Sequence, residues 1–300
     1  MTEKHLVILN PAAGGGRCAK IAGGGVARLR ELGIALDVEE THAPGDASRI
    51  AREAYAAGTR HFVAAGGDGT TYEVLNGLFP AALHDSERPK LGLLPAGTGN
   101  SFLRDFTNQG YEYALWSIAQ GKRRICDIAR LAHRDGELFY INILSMGFVA
   151  DVCALRNNRL SAFGEFGYVL GVFAEVSRLR QEPFNMRIDD QTDDRAPLTF
   201  ISFNNSRFTG GKMMMAPDAD PTDAKIDYIR VGQMGRLALL RTFPKIFSGT
   251  HLLHPAVSSR RIEHVDFELE REVDVMVDGE VLRVVPRRLE VVPGAVEVMV

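Results

Sequence analysis

Short apolar runs alternate with helical segments over the first 124 residues. The pattern predicts strands at 6–9, 35–41, 61–65 and 91–94, helices at 47–57, 72–79 and 111–120, and a helical stretch through Ile21, Val26, Leu29 and Leu32. Most of these strands are continuous apolar runs, which is typical of strands that helices cover on both faces. Strands that alternate with helices indicate βαβ units, so this part predicts an α/β domain with a mostly parallel sheet.

After residue 124 the strand-like runs dominate. Asp135-Gly136 and Asp278-Gly279 each separate two such runs, which is a strong hairpin signal. Strands are predicted at 125–133, 138–144, 184–188, 198–203, 226–231, 265–269, 273–277, 281–285 and 289–292, and helices at 164–180 and 237–247. The sequence therefore predicts an all-β C-terminal domain, an antiparallel sandwich or barrel with one or two helices. The domains are 1–124 and 125–300, and the last few residues are free to return to the first domain.

The charge balance and the cysteines narrow the class of protein. Lys+Arg 35 against Asp+Glu 38 gives a net charge of −3, which lacks the basic excess of a nucleic-acid-binding protein. No run approaches the ~18 apolar residues of a membrane span, and the first residues lack the apolar core of a signal peptide. Cys18, Cys126 and Cys153 fit neither a zinc spacing nor a disulfide framework. We expect a cytoplasmic protein without a transmembrane segment and without a nucleic-acid partner.

Three glycine-rich loops follow predicted strands of the first domain, namely residues 10–17, 66–70 and 95–100. Backbone N–H groups of such loops bind phosphate oxygens, and the N-terminus of the following helix adds partial positive charge. Arg17 is a candidate for a further phosphate contact. One such loop is equally an ordinary tight connection, but three at the carboxyl ends of strands converge on one crevice. The sequence therefore predicts a nucleotide site.

Asp68 lies between glycines in the second loop. A carboxylate beside phosphate-binding backbone is suited to hold Mg²⁺, whereas the alternative interpretation is that Asp68 or Thr70 caps the next helix. The chain has neither a Gly-x-x-x-x-Gly-Lys-Ser/Thr motif nor a Gly-x-Gly-x-x-Gly motif after the first strand, so the common P-loop and dinucleotide-binding classes are excluded.

These loops, together with later blocks, resemble a known family. The blocks are Asn10-Pro11 with its glycines, 66–70 followed by 73–77, 95–100, Cys126-Asp127, 145–152, Gly210-Gly211 leading to Ala216-Pro217, and Asp278-Gly279-Glu280. They resemble the catalytic domain of the diacylglycerol kinase and sphingosine kinase family, and the bacterial soluble lipid kinases most of all. The Gly-Gly-Asp-Gly-Thr block also occurs in NAD kinases, whose fold is related.

The resemblance implies an ATP-dependent lipid kinase that transfers the γ-phosphate to a hydroxyl of a diacylglycerol-like lipid. The residues that it implies for ATP binding are Asn10, Pro11, Ala12, Ala13, Gly14, Thr41, Gly67, Asp68, Gly69, Thr70, Thr71, Tyr72, Glu73 and Thr98. Asp68 and Asp127 are implied to hold the catalytic Mg²⁺ through water, and Glu280 to activate the lipid hydroxyl. A second, structural Mg²⁺ is implied in the loop of Asp220, Asp223 and Lys225.

The sequence departs from relatives at a few of these positions. Ser101 stands where many relatives have Asp, Gly15 or Gly16 replaces a Lys of some relatives, and Ala224 replaces the Gly after Asp223. From the residues alone, the alternative interpretation is that Glu280 follows an ordinary hairpin turn and that Asp127 is an ordinary acid at a strand edge.

The partners and the acceptor are expectations of the same kind. We expect a lipid substrate at a membrane surface, with the protein peripheral at the inner face, and leave a homodimer open. The alternatives are a kinase of a soluble acceptor such as NAD, and a non-catalytic relative that binds nucleotide or membrane.

Overall fold

A computed structural model of the chain describes residues 4–97, 99–155, 176, 179–193 and 195–300. The chain divides into two compact units: residues 1–127 together with 293–300, and residues 128–292. The sequence places the division after residue 124. The predicted helix at 164–180 lies almost entirely outside the described residues, and Thr98 lies outside them as well.

The first unit is built on a parallel sheet. Its strands are β1 (His5–Leu9), β2 (Leu36–Glu40), β3 (His61–Gly66) and β4 (Lys90–Pro95), in the order β2-β1-β3-β4. The C-terminal strand, Pro286–Met299, places its last residues parallel to β4, with Glu297 opposite Lys90. All residues of β1 and β3 are buried, as their continuous apolar runs predict.

Four helices connect these strands: α1 (Cys18–Glu31), α2 (Asp46–Ala56), α3 (Asp68–Leu78) and α4 (Tyr111–Gln120). Helix α4 has its predicted bounds, because Gly121 takes the left-handed conformation that closes a helix. Helix α3 begins four residues before its predicted start at 72, because the second glycine loop itself forms the first helical turn. This difference places Asp68 on a helix N-terminus rather than in a free loop.

The second unit is an antiparallel β-sandwich with few helices, which confirms the predicted fold class. Its strands are β5 (Arg124–His133, which begins in the first unit), β6 (Gly136–Tyr140), β7 (Ile143–Gly147), β8 (Met186–Ile188), β9 (Gln191–Thr192), β10 (Leu198–Asn204), β11 (Phe208–Thr209), β12 (Met213–Met214), β13 (Ile226–Gly232), β14 (Val257–Ile262), β15 (His264–Phe267), β16 (Val273–Val277), β17 (Glu280–Val284) and β18 (Pro286–Met299). The described helices are α5 (Phe148–Leu155) and α6 (Arg236–Thr242), followed by 3-10 turns at Phe243–Ser248 and Thr250–Leu253.

One layer of the sandwich has the strand order β14-β13-β10-β7-β16-β17. In the other layer β15 lies between β18 and β8, and β5 pairs with β18 and β6. The first layer buries Phe200, Ile229 and Met276 in one apolar cluster with residues of α5 and α6. The helices therefore cover one face of that sheet.

Three strand predictions need correction. The single run predicted at 138–144 is two strands, β6 and β7, because the chain changes sheets at Ile141 and Asn142. The strand predicted at 289–292 extends over 286–299. Strands β9, β11, β12 and β14 were not predicted: the first three have two residues each, and β14 is an edge strand whose central residues are polar and exposed, without apolar alternation.

Candidate functional site

The first glycine-rich loop curls tightly between β1 and α1. Gly14, Gly15 and Gly16 have φ values of +62°, +69° and +85°, a region that other L-residues rarely adopt. A Cβ atom at Gly14 would also lie 2.6 Å from the carbonyl oxygen of Ala96 in the third loop. Arg17 donates from Nε to the carbonyl oxygen of Gly14 at 3.0 Å, so it closes its own loop in this structure.

Asn10 ties the first loop to the second. Its backbone N–H donates to the carbonyl oxygen of Ala65 at 3.0 Å, and its Nδ2 donates to Oγ1 of Thr70 at 3.2 Å. Its Oδ1 accepts the N–H of Ala12 at 3.1 Å and so shapes the turn that contains Pro11, Ala12 and Ala13. The predicted nucleotide contacts of these two loops are thereby held side by side.

The second and third loops touch backbone to backbone. The N–H groups of Ala96 and Gly97 both donate to the carbonyl oxygen of Gly66 at 2.9 Å. A Cβ atom at Gly97 would lie 2.4 Å from Cα of Gly67, a separation that real Cβ atoms do not show. Glycine at position 97 is therefore required by the close approach of the two loops.

Asp68 is the first residue of α3, directly after the N-cap residue Gly67. Its two carboxylate oxygens accept the backbone N–H of Ser101 at 2.8 Å and the Ser101 hydroxyl at 2.9 Å. The N-cap position belongs to Gly67, so Asp68 lies one residue inside the helix, and Ser101 donates the hydrogen bonds to its carboxylate. Beside this pair lies a depression with about 260 Å³ of open space, lined by Gly66, Gly67 and Asn100 among others.

Two residues predicted to contact the nucleotide, Glu73 and Thr41, form hydrogen bonds within the first unit. The carboxylate of Glu73 accepts the N–H groups of Gly45 and Ala47 at 3.0 and 3.1 Å, and so satisfies the free donors at the start of α2. Thr41 is buried, and its N–H donates to the carbonyl oxygen of Leu9 at 2.9 Å. Both residues therefore stabilise the ends of the elements around the first loop.

Asp127 lies in the part of β5 that belongs to the first unit, and it is only 3% exposed. Its Oδ1 accepts the backbone N–H of Gly294 at 2.7 Å. A buried carboxylate with a charge-assisted hydrogen bond is not the solvated acid that is typical of a strand edge.

Glu280 begins β17 and is exposed, opposite Val277 of β16. The Asp278-Gly279 turn before it has φ values of +47° and +95°, as a two-residue hairpin turn requires. The predicted hairpin is thus confirmed, and Glu280 projects from its end.

Asp278 is a functional candidate that sequence reasoning treated as a turn residue only. It is buried, and its carboxylate accepts the backbone N–H groups of Ile141, Asn142 and Ile143 at 3.0, 3.0 and 2.9 Å. These are the residues at which the chain leaves β6 for β7. The turn that carries Glu280 is therefore fixed to the crossover between the sheets.

The loop predicted to hold a structural metal is rich in acid. Oδ1 of Asp220 accepts the N–H and the hydroxyl of Thr222, and Oδ1 of Asp223 accepts the N–H of Lys225 at 3.0 Å. Ala224 has φ +57°, a conformation that favours the glycine of relatives. Burial, followed by the nearby carboxylates of Asp223 and others, raises the pKa of Asp227 to about 6 despite Arg261.

Neither predicted metal site forms a compact group of three ligands. Among the described residues, the group whose ligand atoms lie within 4.8 Å of one another is Asp190, His264 and Asp266. Arg288 and Arg187 already form ion pairs with the two carboxylates of that group. Mg²⁺ takes one or two carboxylates and retains water, so the sets around Asp68 and Asp220 still offer suitable oxygen ligands.

Comparison with known proteins places these features in a family. A model of the diacylglycerol kinase catalytic domain matches residues 4–131, and a model of the YegS C-terminal NAD kinase beta sandwich-like domain matches residues 142–300. The diacylglycerol kinase of Mycobacterium tuberculosis is 32% identical over 301 residues, which cover 99% of this chain and 94% of that protein. The diacylglycerol kinase of Staphylococcus aureus is 26% identical and covers 93% and 87%.

The fold agrees with these matches. A crystal structure of a diacylglycerol kinase from Bacillus anthracis str. Sterne has a TM-score of 0.71 at 22% identity and covers 99% of this chain and 96% of its own. The chain therefore belongs to the diacylglycerol kinase family, and the predicted lipid-kinase class of enzyme is confirmed.

A search for long apolar helices in the described part of the chain finds none that could cross a membrane.

Proposed function

We propose that the protein uses ATP to phosphorylate a hydroxyl group of a diacylglycerol-like lipid, with Mg²⁺ bound at the nucleotide. The observation that carries the proposal is the contact among three glycine-rich loops of the first unit, where Gly67 meets Gly97 and Gly14 meets Ala96. Such close backbone contacts concentrate N–H groups and helix N-termini at one edge of a parallel sheet, which suits a polyphosphate.

The nucleotide would contact the first loop from Asn10 to Gly14, the second from Gly67 to Glu73, and Thr41 and Thr98. Asn10 supports this assignment, because its side chain connects the first two loops. Glu73 would act through the α2 N-terminus that it holds, because its carboxylate already accepts two backbone N–H groups there.

Asp68 and Asp127 are the residues that would hold the catalytic Mg²⁺, through water molecules. Both carboxylates accept hydrogen bonds that orient them, from Ser101 and from Gly294. When bound, Mg²⁺ neutralises the charge on the phosphates during transfer. Asp220, Asp223 and Lys225 would hold the structural ion, because the carboxylate oxygens of the two aspartates are the kind of ligand that Mg²⁺ prefers.

Glu280 would accept the proton of the lipid hydroxyl. The hydroxyl oxygen then forms a bond to the γ-phosphorus, the bond from that phosphorus to the β–γ bridging oxygen breaks, and ADP leaves. The locked Asp278 turn supports this role, because a general base must be held in a defined position.

The test is transfer of radiolabel from [γ-³²P]ATP to a panel of acceptors with the intact chain. The lipids are diacylglycerol, monoacylglycerol, sphingosine, ceramide and phosphatidylglycerol in mixed micelles, and NAD is the soluble acceptor. We expect labelled phosphatidic acid, and no label when Mg²⁺ is chelated. Label in NAD alone would contradict the proposal in favour of a soluble-acceptor kinase, and no label in any acceptor would favour a non-catalytic relative.

A further inference from the structure

The surface formed by α6 and the two 3-10 turns after it carries exposed apolar side chains. Leu237 is 60% exposed, Phe247 47% and Leu253 83%, and these are three of the seven exposed large hydrophobic residues in the described part of the chain. Single exposed apolar residues are ordinary, but a concentration of them within 17 residues is typical of an interaction surface.

These side chains are held outward by packing beneath them. Leu239 and Ile246 of the same segment are buried in the apolar cluster of the second unit. His251, also buried, lies with Nε2 3.0 Å from the carbonyl oxygen of Met215, and a Cβ atom at Gly249 would lie 2.6 Å from Pro217. The segment is therefore fixed to the sandwich, and the exposure of its apolar residues is a feature of the fold.

The same stretch is strongly basic. From residue 228 to residue 262 the chain has six Arg or Lys and no Asp or Glu, although the whole chain has a net charge of −3. Arg236, Arg241 and Lys245 are exposed, and none of them forms an ion pair with any residue that the structure describes. By contrast, Arg260 and Arg261 of the adjacent strand β14 pair with Asp193 and Asp223.

Apolar and basic residues alternate along the exposed side of this segment. Leu237 and Arg241 are four residues apart in α6 and so lie on one face of the helix. Phe247 packs edge-on against Phe243, with ring centroids 6.1 Å apart. Leu and Phe side chains beside unpaired Arg and Lys are the combination that binds the interface of an anionic bilayer, where acyl chains and phosphate groups are within a few ångströms of each other.

We infer that one surface of the second unit binds the protein to an anionic phospholipid membrane. This docking surface consists of Arg236, Leu237, Arg241, Lys245, Phe247 and Leu253. The charge complementarity selects this occupant: the segment 228–262, which contains basic residues and no acidic one, attracts lipid phosphates, whereas two copies of it would repel each other. The inference deepens the proposed function and rests on it for its biological meaning, since a lipid acceptor resides in a bilayer. Binding itself is measurable without turnover.

The experiment is co-sedimentation of the intact protein with vesicles of phosphatidylcholine alone or of an equal mixture with phosphatidylglycerol. We expect binding to the mixed vesicles that weakens with salt. The triple variant Arg236→Gln, Arg241→Gln, Lys245→Gln should bind roughly 100-fold more weakly, about fivefold for each charge. Leu237→Ser with Leu253→Ser should also weaken binding, because the apolar contact is lost.

The matched controls are Leu32→Ser and Arg52→Gln, which remove one exposed apolar and one exposed basic residue from the first unit. They should bind mixed vesicles as the wild type does, and all variants should retain the wild-type melting temperature. The inference is overturned if the triple variant binds mixed vesicles as the wild type does, or if the controls lose as much binding as the triple variant. It is also overturned if the wild type binds both kinds of vesicle equally. A dimer in sedimentation equilibrium that the Leu237→Ser, Leu253→Ser variant dissociates would also overturn it, because a second copy would then cover the surface.

Activity separates this inference from the proposed function. With a short-chain diacylglycerol below its critical micelle concentration, the docking-surface variants should keep the wild-type rate, whereas their rate on vesicle-bound diacylglycerol should fall. If the docking-surface variants weaken vesicle binding but the wild type transfers phosphate to no lipid, the docking inference is supported and the kinase proposal is refuted. If the wild type phosphorylates lipids but no docking-surface variant changes vesicle binding, the kinase proposal is supported and the docking inference is refuted.

Discussion

At the scale of single residues, Asp68 is the side chain on which the proposed chemistry depends. Both of its oxygens accept hydrogen bonds from Ser101, so two roles compete: a ligand for the catalytic Mg²⁺, and a link between the second and third loops. The two roles predict different behaviour in paired variants.

We expect Asp68→Asn to lose about 100-fold or more in kcat, because a metal ion supplies several kcal/mol of transition-state stabilisation and an amide is a poorer ligand. Ser101→Ala removes one of the two hydrogen bonds but no ligand, so it should lose less than about tenfold, in line with the ~1 kcal/mol of one hydrogen bond. The measurement is the steady-state rate over a range of Mg²⁺ concentrations. Equal losses in the two variants would mean that Asp68 acts as the link alone.

A second residue-scale prediction concerns His251. Burial of its ring lowers the pKa of the imidazole in the folded state, against smaller opposing hydrogen bonds that include Met215. The unfolded chain then binds a proton below about pH 6.5 that the folded chain does not, so the free energy of unfolding falls as the pH falls through that value. Calorimetric melting from pH 7.5 to 5 should show this loss.

The corresponding variant is His251→Gln, which retains a donor for the Met215 carbonyl but cannot take up a proton. Its melting temperature should depend less on pH over that range than the wild-type value does. His42→Gln, at an exposed position in the first unit, is the control and should leave the dependence unchanged. If His251→Gln melts with the wild-type dependence, other groups cause the acid destabilisation.

At the scale of elements, the three glycine-rich loops form one structural unit, because each contacts another through its backbone. The prediction is that Gly97→Val weakens ATP binding by more than about tenfold, or ~1.4 kcal/mol, because the new side chain would overlap Gly67 and force the second and third loops apart. Titration calorimetry with ATP measures it. Gly24→Val, the same change in α1 where the structure leaves open space around the glycine, should bind ATP as the wild type does. Unchanged affinity in Gly97→Val would place the phosphates elsewhere.

Two hairpins show what the sequence predicts and what it does not. Asp135-Gly136 and Asp278-Gly279 are the same dipeptide, and both predicted hairpins form, although the first turns at Arg134 and Asp135, with Gly136 already opposite His133. Asp135 is exposed, whereas the Asp278 carboxylate accepts three backbone N–H groups from residues more than 130 positions away. Local pattern predicts the turn, because the turn depends on neighbouring residues. It cannot predict a partner that only the assembled sheets bring near.

The same limit explains the other differences. The strands β1, β3 and β4 and the loops after them follow from continuous apolar runs and glycines, which are local signals. The exposed edge strand β14 lacks such a run, and the contact of Asp68 with Ser101 joins residues 33 positions apart. The strands and the glycine-rich loops were thus predictable from the sequence, and the hydrogen bonds that orient Asp68 were not.

The pair of hairpins also provides a prediction. Asp278→Asn leaves buried N–H groups without a carboxylate and places an amide donor against them, so it should lower the free energy of unfolding by about 2–5 kcal/mol. Asp135→Asn, the same change in the exposed turn, should alter it by less than about 0.5 kcal/mol. Urea denaturation of the two variants measures the difference. A similar small effect in both would show that the Asp278 hydrogen bonds do not stabilise the crossover.

At the scale of the whole molecule, the proposed work is divided between two units of the chain. The glycine-rich loops, Asp68 and Asp127 belong to the first unit, and Glu280 belongs to the second. A division of this kind predicts that binding of nucleotide and transfer of its phosphate respond to different variants.

The decisive variant is Glu280→Gln, which keeps the size of the side chain and removes the ability to accept a proton. Loss of a positioned base costs ~10²–10⁴-fold in rate, and a loose transition state favours the lower end because the hydroxyl loses its proton late. Affinity for ATP should stay at the wild-type value, since no loop of the first unit changes. The melting temperature should also stay, because Asp278 and Gly279 still form the turn and Glu280 is exposed.

Glu270→Gln is the matched control, at a glutamate of the second unit whose side chain is 87% exposed and forms an ion pair with Arg287. It should keep full activity. A loss of kcat confined to Glu280→Gln would then result from the position of that glutamate and not from the removal of one negative charge. The measurement is kcat on diacylglycerol beside calorimetric ATP affinity for the same preparations. Full kcat in Glu280→Gln would leave the hairpin as an ordinary turn and move the search for the base to Asp68, whereas loss of ATP affinity would show that Glu280 supports the nucleotide rather than the acceptor.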